Sequence, residues 1–461
     1  MPTTGAPQGT SYSPAILAQA LDKIRKTHQL AMPRRLCIAY SGGLDTRALL
    51  HSINEIKYLQ PIMNVNILAF HVNHRLSTAA AEWEQTCAQI CLDYAIPFES
   101  TQVQVAHGPG LSIEEQARAA RYAAIATRVR AGDWWLTAHH QDDQAETLLL
   151  QLLRGAGSRG LAAMPEVQAL GEGWLIRPLL QVTRAQLAQY ALQNNLAWIE
   201  DPSNRDERFA RNFLRHRVLP TLAARWPGYA ATLGRSAQLA AEAAQLADDL
   251  AALDMARCGA ERPNVLRVDA LLSLPAHRLS NVLVYWLRTV GLPAPYRVHI
   301  EHIINQVLKA VGDATPKVAW PGADVRRYAQ RLYAMPPLVP PPKHWSANWD
   351  GHTALEIPGS GSVSAGAAIG EGLKAQSMTS PVEVRLRSGG ERMQLPRRAG
   401  HHLLKHLFQE ARIPPWQRAS VPLVYVEGEL ACVPGIGVAE GYAAGAGEPG
   451  IVIEWLPRVG W

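Results

Sequence analysis

Apolar and polar positions alternate in two registers along the first half of the chain. Short apolar runs at 36–40, 65–72, 98–105 and 134–138 have the length of strands, and between them apolar residues recur at helical spacing, most clearly over 112–130. Strands alternating with helices predict an α/β fold: a doubly wound parallel sheet whose ligands sit beyond the C-terminal ends of its strands. From about Tyr229 the pattern becomes an Ala/Leu-rich helical region with Leu233, Leu239, Leu246, Leu250 and Leu253, followed by helical patterns near 278–290 and 298–311. A Pro-rich break, Pro336-Pro337-Leu338-Val339-Pro340-Pro341-Pro342, and a Gly/Ala/Ser stretch over 358–372 flank a segment with little periodicity. After it, 382–457 reads as short strands around one helix at 403–411. The expected organisation is a sheet domain over 1–225, a helical domain over 226–337, a linker over 338–380 and a small C-terminal α+β domain over 381–461.

Composition narrows the function classes. Lys and Arg number 45 against 39 Asp and Glu, a net charge of +6, and no lysine occurs between Lys57 and Lys309, so the cationic side is mostly arginine. A basic chain rich in a planar, bidentate donor suits phosphate or nucleic-acid partners. The five cysteines, at 37, 87, 91, 258 and 432, are odd in number and scattered, which points to a reducing compartment, the cytoplasm, and against a disulfide frame. No apolar run reaches roughly 18 residues, and the first residues, MPTTGAPQGTSYSP, lack the basic and apolar regions of a signal peptide. No membrane partner is expected.

The chemistry is concentrated in Ser41-Gly42-Gly43-Leu44-Asp45-Thr46, directly after the apolar run Leu36-Cys37-Ile38-Ala39-Tyr40. A strand ending at Tyr40 puts the two glycines where the backbone must turn sharply and approach a ligand with no Cβ in the way. Ser41 and Thr46 offer hydroxyls, and a following helix, marked by Ala48, Leu49, Leu50 and Ile53, aims its N-terminal N–H groups at an anion. The six residues read as a phosphate cradle. The chain has no GxxxxGK[ST], which argues against a Walker-type loop. Gly155-Ala156-Gly157-Ser158-Arg159-Gly160 satisfies GxGxxG but comes after a helical run, not a strand, and reads as a helix stop with a flexible loop after it.

A fourth strand, Trp134-Trp135-Leu136-Thr137-Ala138, delivers His139-His140-Gln141-Asp142-Asp143-Gln144-Ala145-Glu146-Thr147 to the same sheet edge. A histidine and a carboxylate four residues apart at a strand-to-helix junction can meet one Mg²⁺–phosphate group or share a proton. A helix capping box accounts for the acids but not for the paired histidines. His71/His74 and Cys87/Cys91 have ligand-like spacings, yet they lie on different elements and no CxxC is present, so the two cysteines read as one buried helix face. Arginines form a third group: Arg118 and Arg121 before the fourth strand, then Arg205, Arg208, Arg211, Arg215 and Arg217, five within thirteen residues. As a cluster they suit an RNA backbone or a triphosphate.

SGGLDT resembles the SGGxD[ST] signature of the PP-loop ATP pyrophosphatase superfamily, whose members cleave ATP between the α- and β-phosphates. Together with other strings it resembles the tRNA(Ile)-lysidine synthetase family in its long form. These are His71-Val72-Asn73-His74-Arg75-Leu76-Ser77, with Arg75 where the family has Gly; HHQDDQAET with Leu153-Arg154-Gly155-Ala156-Gly157; Leu274-Pro275-Ala276-His277-Arg278; and Arg387-Ser388-Gly389-Gly390-Glu391-Arg392 with Ile413-Pro414-Pro415-Trp416-Gln417-Arg418. The resemblance implies that lysine is ligated to carbon 2 of the wobble cytidine of a CAU-anticodon tRNA(Ile), with ATP consumed and Mg²⁺ beside it. It implies catalytic roles for Asp45, Arg121, His139, Asp143 and Arg211, ATP contacts from Ser41, Gly42, Gly43, Leu44, Asp45 and Thr46, and metal contacts from Asp45 and Asp143. It also implies tRNA contacts from Arg205, Arg208, Arg215, Arg387, Arg392, Lys405 and Arg418, and it is compatible with a homodimer. Two rivals share the cradle. A PP-loop tRNA thiolase ordinarily needs reactive or cluster-ligating cysteines, which the sheet domain does not offer as CxxC; an ATP-responsive tRNA-binding module would not need the histidine–aspartate group.

Overall fold

The structure, a computed structural model, describes residues 11–57, 65–75, 77–104, 113–310 and 315–457, without the side chains of 113–115. Residue 112 of the expected helix and Leu76 of the HVNHRLS string lie outside the described residues. The chain divides into two compact units, Met1–Leu246 and Ala247–Trp461.

In the first unit the order is α1 (Pro14–Thr27), β1 (Arg35–Ala39), α2 (Leu44–Ile56), β2 (Asn66–Asn73), α3 (Ala80–Asp93), β3 (Phe98–Gln102), α4 (Ile113–Ala126), β4 (Asp133–Leu136) and α5 (Gln141–Leu153). Then come α6 (Ser158–Leu161), the hairpin β5 (Val167–Leu170) and β6 (Gly173–Ile176), α7 (Arg184–Gln193), α8 (Ala210–Phe213) and α9 (Leu219–Arg225). The strands pair in the order β3-β2-β1-β4-β6-β5, parallel throughout except for the antiparallel β5 edge. Both faces of this sheet are covered, as a parallel sheet requires. Successive residues of β1 show it: Leu36 and Ile38 join the core formed with Leu17, Leu49, Ile53 and Leu187, while Cys37 joins Phe70, Trp135 and Leu175 on the other face.

From β1 the chain builds outward to β2 and β3, then returns to place β4 on β1's other side. The strand order therefore reverses between β1 and β4, and the crevice at that switch point is where such sheets bind ligands. The helix α5 stops at Gly155, which adopts φ +70°, but the chain then enters the short helix α6 instead of an irregular loop. The β5–β6 hairpin has no counterpart among the expected strands, because β5 carries two exposed residues and only four in all.

The 30-residue helix α10 (Tyr229–Cys258) spans the boundary between the units. In the second unit β7 (Val265–Arg267), α11 (Val268–Leu272), α12 (Ala276–Thr289), α13 (Arg297–His302), β8 (Lys317–Trp320), β9 (Ala323–Tyr328) and β10 (Arg331–Met335) come next. The helical region expected over 226–337 is there, and its helices pack on an antiparallel sheet that the expectation lacked, β7-β10-β9-β8, around Leu283, Trp286, Val307 and Leu332.

The expected linker at 338–380 is not one. It supplies β11 (Ser346–Trp349), β12 (Leu355–Ile357), β13 (Gly361–Ile369) and β14 (Leu373–Lys374). The remaining elements are β15 (Val382–Arg385), β16 (Arg392–Met393), β17 (His402–Leu403), α14 (Leu404–Glu410), β18 (Leu423–Val426), β19 (Glu429–Val433), β20 (Gly437–Val438) and β21 (Pro449–Pro457). β13 pairs with β21 along nine consecutive residues, and β11 pairs with β15. Small residues read as linker because β13 buries little more than Val363; its order comes from backbone pairing, not from apolar pattern.

Candidate active site

Two loops meet at the switch point. After β1, Gly42 takes φ +82°, and a Cβ built there would lie 2.6 Å from Ile199 Cδ1 and 2.7 Å from Cys87 Sγ, so this position admits only glycine without rearrangement. Gly43 is the N-cap of α2 and carries no side-chain cap. The Ser41 hydroxyl lies 3.1 Å from that of Thr46 and accepts from Gly43 N at 3.4 Å, while Thr46 Oγ1 donates to the Gly43 carbonyl at 3.0 Å. These hydroxyls satisfy one another at the mouth of a helix N-terminus, and an anion arriving there replaces polar contacts without exposing buried groups.

After β4, His140 caps α5. Its Nδ1 accepts from Asp143 N at 3.4 Å and its own N–H donates to Asp143 Oδ2 at 3.0 Å, a reciprocal capping box. The box expected of Asp143 with Glu146 is made instead by His140 with Asp143, and the imidazole that caps also faces the cradle. His140 Nε2 lies 3.6 Å from Asp45 Oδ2 and 3.5 Å from Asp143 Oδ2. Burial opposes its charge, but Asp143 and Asp45 outweigh that and hold its pKa above the ordinary histidine value. Asp142, by contrast, accepts from Arg184 N at 2.8 Å and so caps α7.

Asp143 and Glu146 are held from the other side by arginines that the sequence placed more than sixty residues away. Arg215 donates Nε to Glu146 Oε1 at 2.7 Å and Nη2 to Glu146 Oε2 at 3.0 Å and Asp143 Oδ1 at 3.2 Å. Arg211 Nε lies 3.1 Å from Glu146 Oε2 and its Nη2 donates to Thr147 Oγ1 at 2.6 Å. Burial pushes the Asp143 pKa up, yet His140, His139 and Arg211 together bring it below the ordinary aspartate value. Glu146, fully buried, is raised by burial in spite of Arg215. His139 meets Thr137 Oγ1 at 2.8 Å, and burial, aided by the cations Arg177, Arg118 and Arg211, pushes its pKa down to about 3.

Of the residues expected in the site, Asp45, His139, Asp143 and Arg211 converge. Arg121 does not reach that group: its guanidinium lies 3.4 Å from His74 Nε2 at the end of β2. Its neighbour Arg118 lines the cleft beside Arg211.

A PP-loop domain model matches residues 16–222, a TilS substrate binding domain model matches 266–333 and a TilS substrate C-terminal domain model matches 382–455. A protein of Methylococcus capsulatus named tRNA(Ile)-lysidine synthase is 42% identical over 423 residues, covering 91% of this chain and 96% of its own. Proteins of the same name from Coxiella burnetii, 42% identical over 91% of this chain and 93% of theirs, and Serratia proteamaculans, 39% identical over 93% and 97%, match as extensively. This chain belongs to the tRNA(Ile)-lysidine synthase family.

Within that family assignment, the residues expected to touch tRNA fall into two sets. Arg205 and Arg208 are strongly exposed and paired only with the surface acids Glu200 and Asp206; Arg392 and Lys405 are exposed too, and Arg387 is half-buried against Glu391. Arg215 and Arg418 belong elsewhere. Arg215 clasps Asp143 and Glu146, as described. Arg418 is 8% exposed, donating to the Ile413 carbonyl at 2.8 Å and to Tyr328 Oη at 2.9 Å, and it ties the C-terminal segment to the β9 strand of its own unit. Trp416 packs edge-on against Tyr333 with ring centroids 5.3 Å apart.

The sequence reading missed His140, Glu146 and Arg177 as site residues; His140 stood beside His139 in the paired-histidine string. For Glu146 the signal was present in its spacing of three from Asp143. For Arg177 the only signal was a cation directly after the apolar run Trp174-Leu175-Ile176. Cys87 and Cys91 share the buried face of α3, and burial pushes both thiols up to about 12, away from nucleophilic chemistry at neutral pH. No helix among the described residues is long and apolar enough to cross a membrane.

Proposed function

We propose that this chain is an ATP-dependent ligase of the cytoplasm that joins free lysine to carbon 2 of the wobble cytidine in a CAU-anticodon tRNA(Ile), with release of AMP and pyrophosphate. Family membership supports the overall reaction. The observation that carries the residue assignment is the convergence of Asp45 and Asp143 on His140 at the β1–β4 crevice.

In the first step the 2-carbonyl oxygen of cytidine attacks the ATP α-phosphate. The leaving pyrophosphate sits on the N–H groups around Gly42, Gly43 and Leu44, with the Ser41 and Thr46 hydroxyls turning from each other to its oxygens. The residues fit a Mg²⁺ that takes most of its ligands from phosphate and water. Asp45 Oδ1 is buried without a hydrogen-bond partner, whereas both oxygens of Asp143 already accept, from His140 N and Arg215. Asp45 is therefore the carboxylate that holds the ion, and Asp143 supports it through His140; among the described residues no larger acidic or histidine cluster competes. When bound, the ion supplies charge neutralisation at the phosphates.

In the second step the lysine ε-amine attacks carbon 2 and expels AMP. Asp143, kept ionised, and His139, kept neutral, are the two acceptors at the crevice for the proton the amine loses. The test is direct: incubate the protein with ATP, lysine and the CAU isoleucine tRNA, digest to nucleosides and look for lysidine by mass. Asp45→Asn keeps the side-chain volume and should abolish turnover in a folded protein. ADP and free phosphate as the main nucleotide products would refute the reading.

A further inference from the structure

We propose that the cleft along the outer part of α5 is a phosphodiester site, which grips the RNA backbone next to the reacting nucleotide. The identity of the RNA rests on the ligase reading; the chemistry of the cleft does not. The cleft has a volume of about 560 Å³ and its wall includes Arg118, Arg154, Arg177, Arg208 and Arg211, with no Asp or Glu among the described residues that line it. Arg211 and Arg208 have carboxylate partners outside the wall, in Glu146 and Asp206.

Arg177 is different. It is 3% exposed, its Nη1 donates to the Pro165 carbonyl at 2.7 Å and its Nη2 to Gln168 Oε1 at 3.2 Å, and Nε has no hydrogen-bond partner. The Tyr122 phenol is its other polar neighbour. All of these are neutral, so a buried guanidinium on the wall of the cleft has no anionic partner among the described residues. A charge removed from water is strongly disfavoured unless an opposite charge meets it. The fork of a guanidinium matches the two non-bridging oxygens of a phosphate, and backbone phosphates are what position a protein on RNA.

Two other anions reach this enzyme, and the wall argues against both. The ATP triphosphate has its cradle at Ser41–Thr46, none of which lines the cleft. Lysine carries a carboxylate, but its two ammonium groups are repelled by a wall of cations. Arg211 bridges cleft and crevice, touching Glu146 and Thr147 on one side and lining the cleft on the other, which puts a gripped phosphate within a nucleotide's reach of Asp143.

The experiment uses the full-length chain with Arg177→Gln, and with Arg118→Gln as a second wall variant at a partly exposed residue stacked on Tyr122, both checked for folding by thermal melting. Affinity for the CAU isoleucine tRNA is measured against salt concentration, alongside ATP affinity and the KM for lysine. The expected result is tRNA affinity weakened by about tenfold and a salt slope reduced by roughly one per arginine, with ATP and lysine unchanged within about twofold. A loss of ATP affinity with an unchanged tRNA slope would assign the cleft to the nucleotide, and a raised KM for lysine alone would assign it to the amino acid. If neither variant moves any binding constant, the arginines only support the fold. Each of those three outcomes overturns the proposal. Binding and slope are read without catalysis, so a wild-type protein that makes no lysidine yet shows the arginine-dependent slope removes the ligase reading and leaves the phosphate site standing.

Discussion

Gly42→Ala tests the claim that the cradle's shape is dictated by what surrounds it. The geometry imposes two separable penalties. A left-handed φ of +82° costs an alanine roughly 1–2 kcal/mol. The new Cβ also meets Ile199 Cδ1 at 2.6 Å and Cys87 Sγ at 2.7 Å, an overpacking that costs about 1–3 kcal/mol. The expected loss of unfolding free energy is therefore about 2–5 kcal/mol. The two neighbours differ in how far they can yield. Ile199 Cδ1 is the end of a flexible side chain, whereas Cys87 is fully buried on α3 and has no room to retreat. Cys87→Ala alone should cost about 1 kcal/mol for the small cavity it leaves. In the double variant the methyl group introduced at position 42 fills part of that cavity, so the steric penalty is relieved while the backbone penalty persists. Urea unfolding of the four proteins should give a coupling of about 1 kcal/mol or more in the favourable direction. Losses that add to within about 0.5 kcal/mol would refute the steric argument and leave only the conformational one. ATP affinity should fall in Gly42→Ala and recover only partly in the double variant, since Ile199 N donates to the Gly42 carbonyl and any shift of the cradle pulls that latch.

Three further outcomes can be checked. Arg75 stands at φ +54° with its N–H donating to Asn73 Oδ1, so Arg75→Gly should be more stable than Arg75→Ala by about 1 kcal/mol in thermal unfolding. His74 is pushed down to about 4 by burial and by Arg121, so the unfolded chain binds the extra proton between about pH 6.5 and 4 and stability falls as pH drops through that window. The wild-type loss between pH 7 and 5 should exceed that of His74→Gln by roughly 1–2 kcal/mol; equal losses would place the ring in water. Arg418→Gln should lower the melting temperature without altering the salt slope of tRNA binding, whereas Lys405→Gln should reduce the slope by roughly one and leave the melting temperature alone.

How much of this was legible in the sequence depends on whether apolar pattern or pairing carries the order. β1, β2 and β4 were readable because buried apolar runs mark them, β3 by its place in the alternation although no residue of it is fully buried, and the glycines of the cradle because only they fit the turn. α10 was readable as a helix but misleading as a packing surface. Its conspicuous leucines, Leu239, Leu246 and Leu253, are about two-thirds exposed, while Ala237, Ala244 and Ala251, also seven apart, are the buried seam. Close packing there selects small side chains, and a hydrophobicity reading favours the large ones. The strands at 346–374 were illegible for the same reason: small residues in a backbone-paired strand look like a linker. In the site, local spacing revealed the residues on one loop, such as Asp45 or His139 and Asp143. It could not reveal that Arg215 faces inward, since on sequence alone it shared a basic run with the exposed Arg205 and Arg208.

That inward turn gives the site its logic. Asp45, His140, Asp143, Arg215, Glu146 and Arg211 form an unbroken succession in which each lies within 3.6 Å of the next, and their charges alternate when His140 is protonated. Each buried carboxylate is thereby matched, which a low-dielectric crevice demands. The ends of the succession are unlike. Asp45 ends it with an oxygen that has no partner, suited to a cation at the phosphate cradle. Arg211 ends it on the arginine cleft, suited to an anion. Its inner members stand on or cap α5 or are clasped to it, so Asp143 and Glu146, one helical turn apart, present their carboxylates on one face of that helix. On the proposed reading, a nucleotide triphosphate and an RNA backbone, both polyanions that repel each other in water, would meet unlike ends of this charge-alternating succession, with the base to be modified between them.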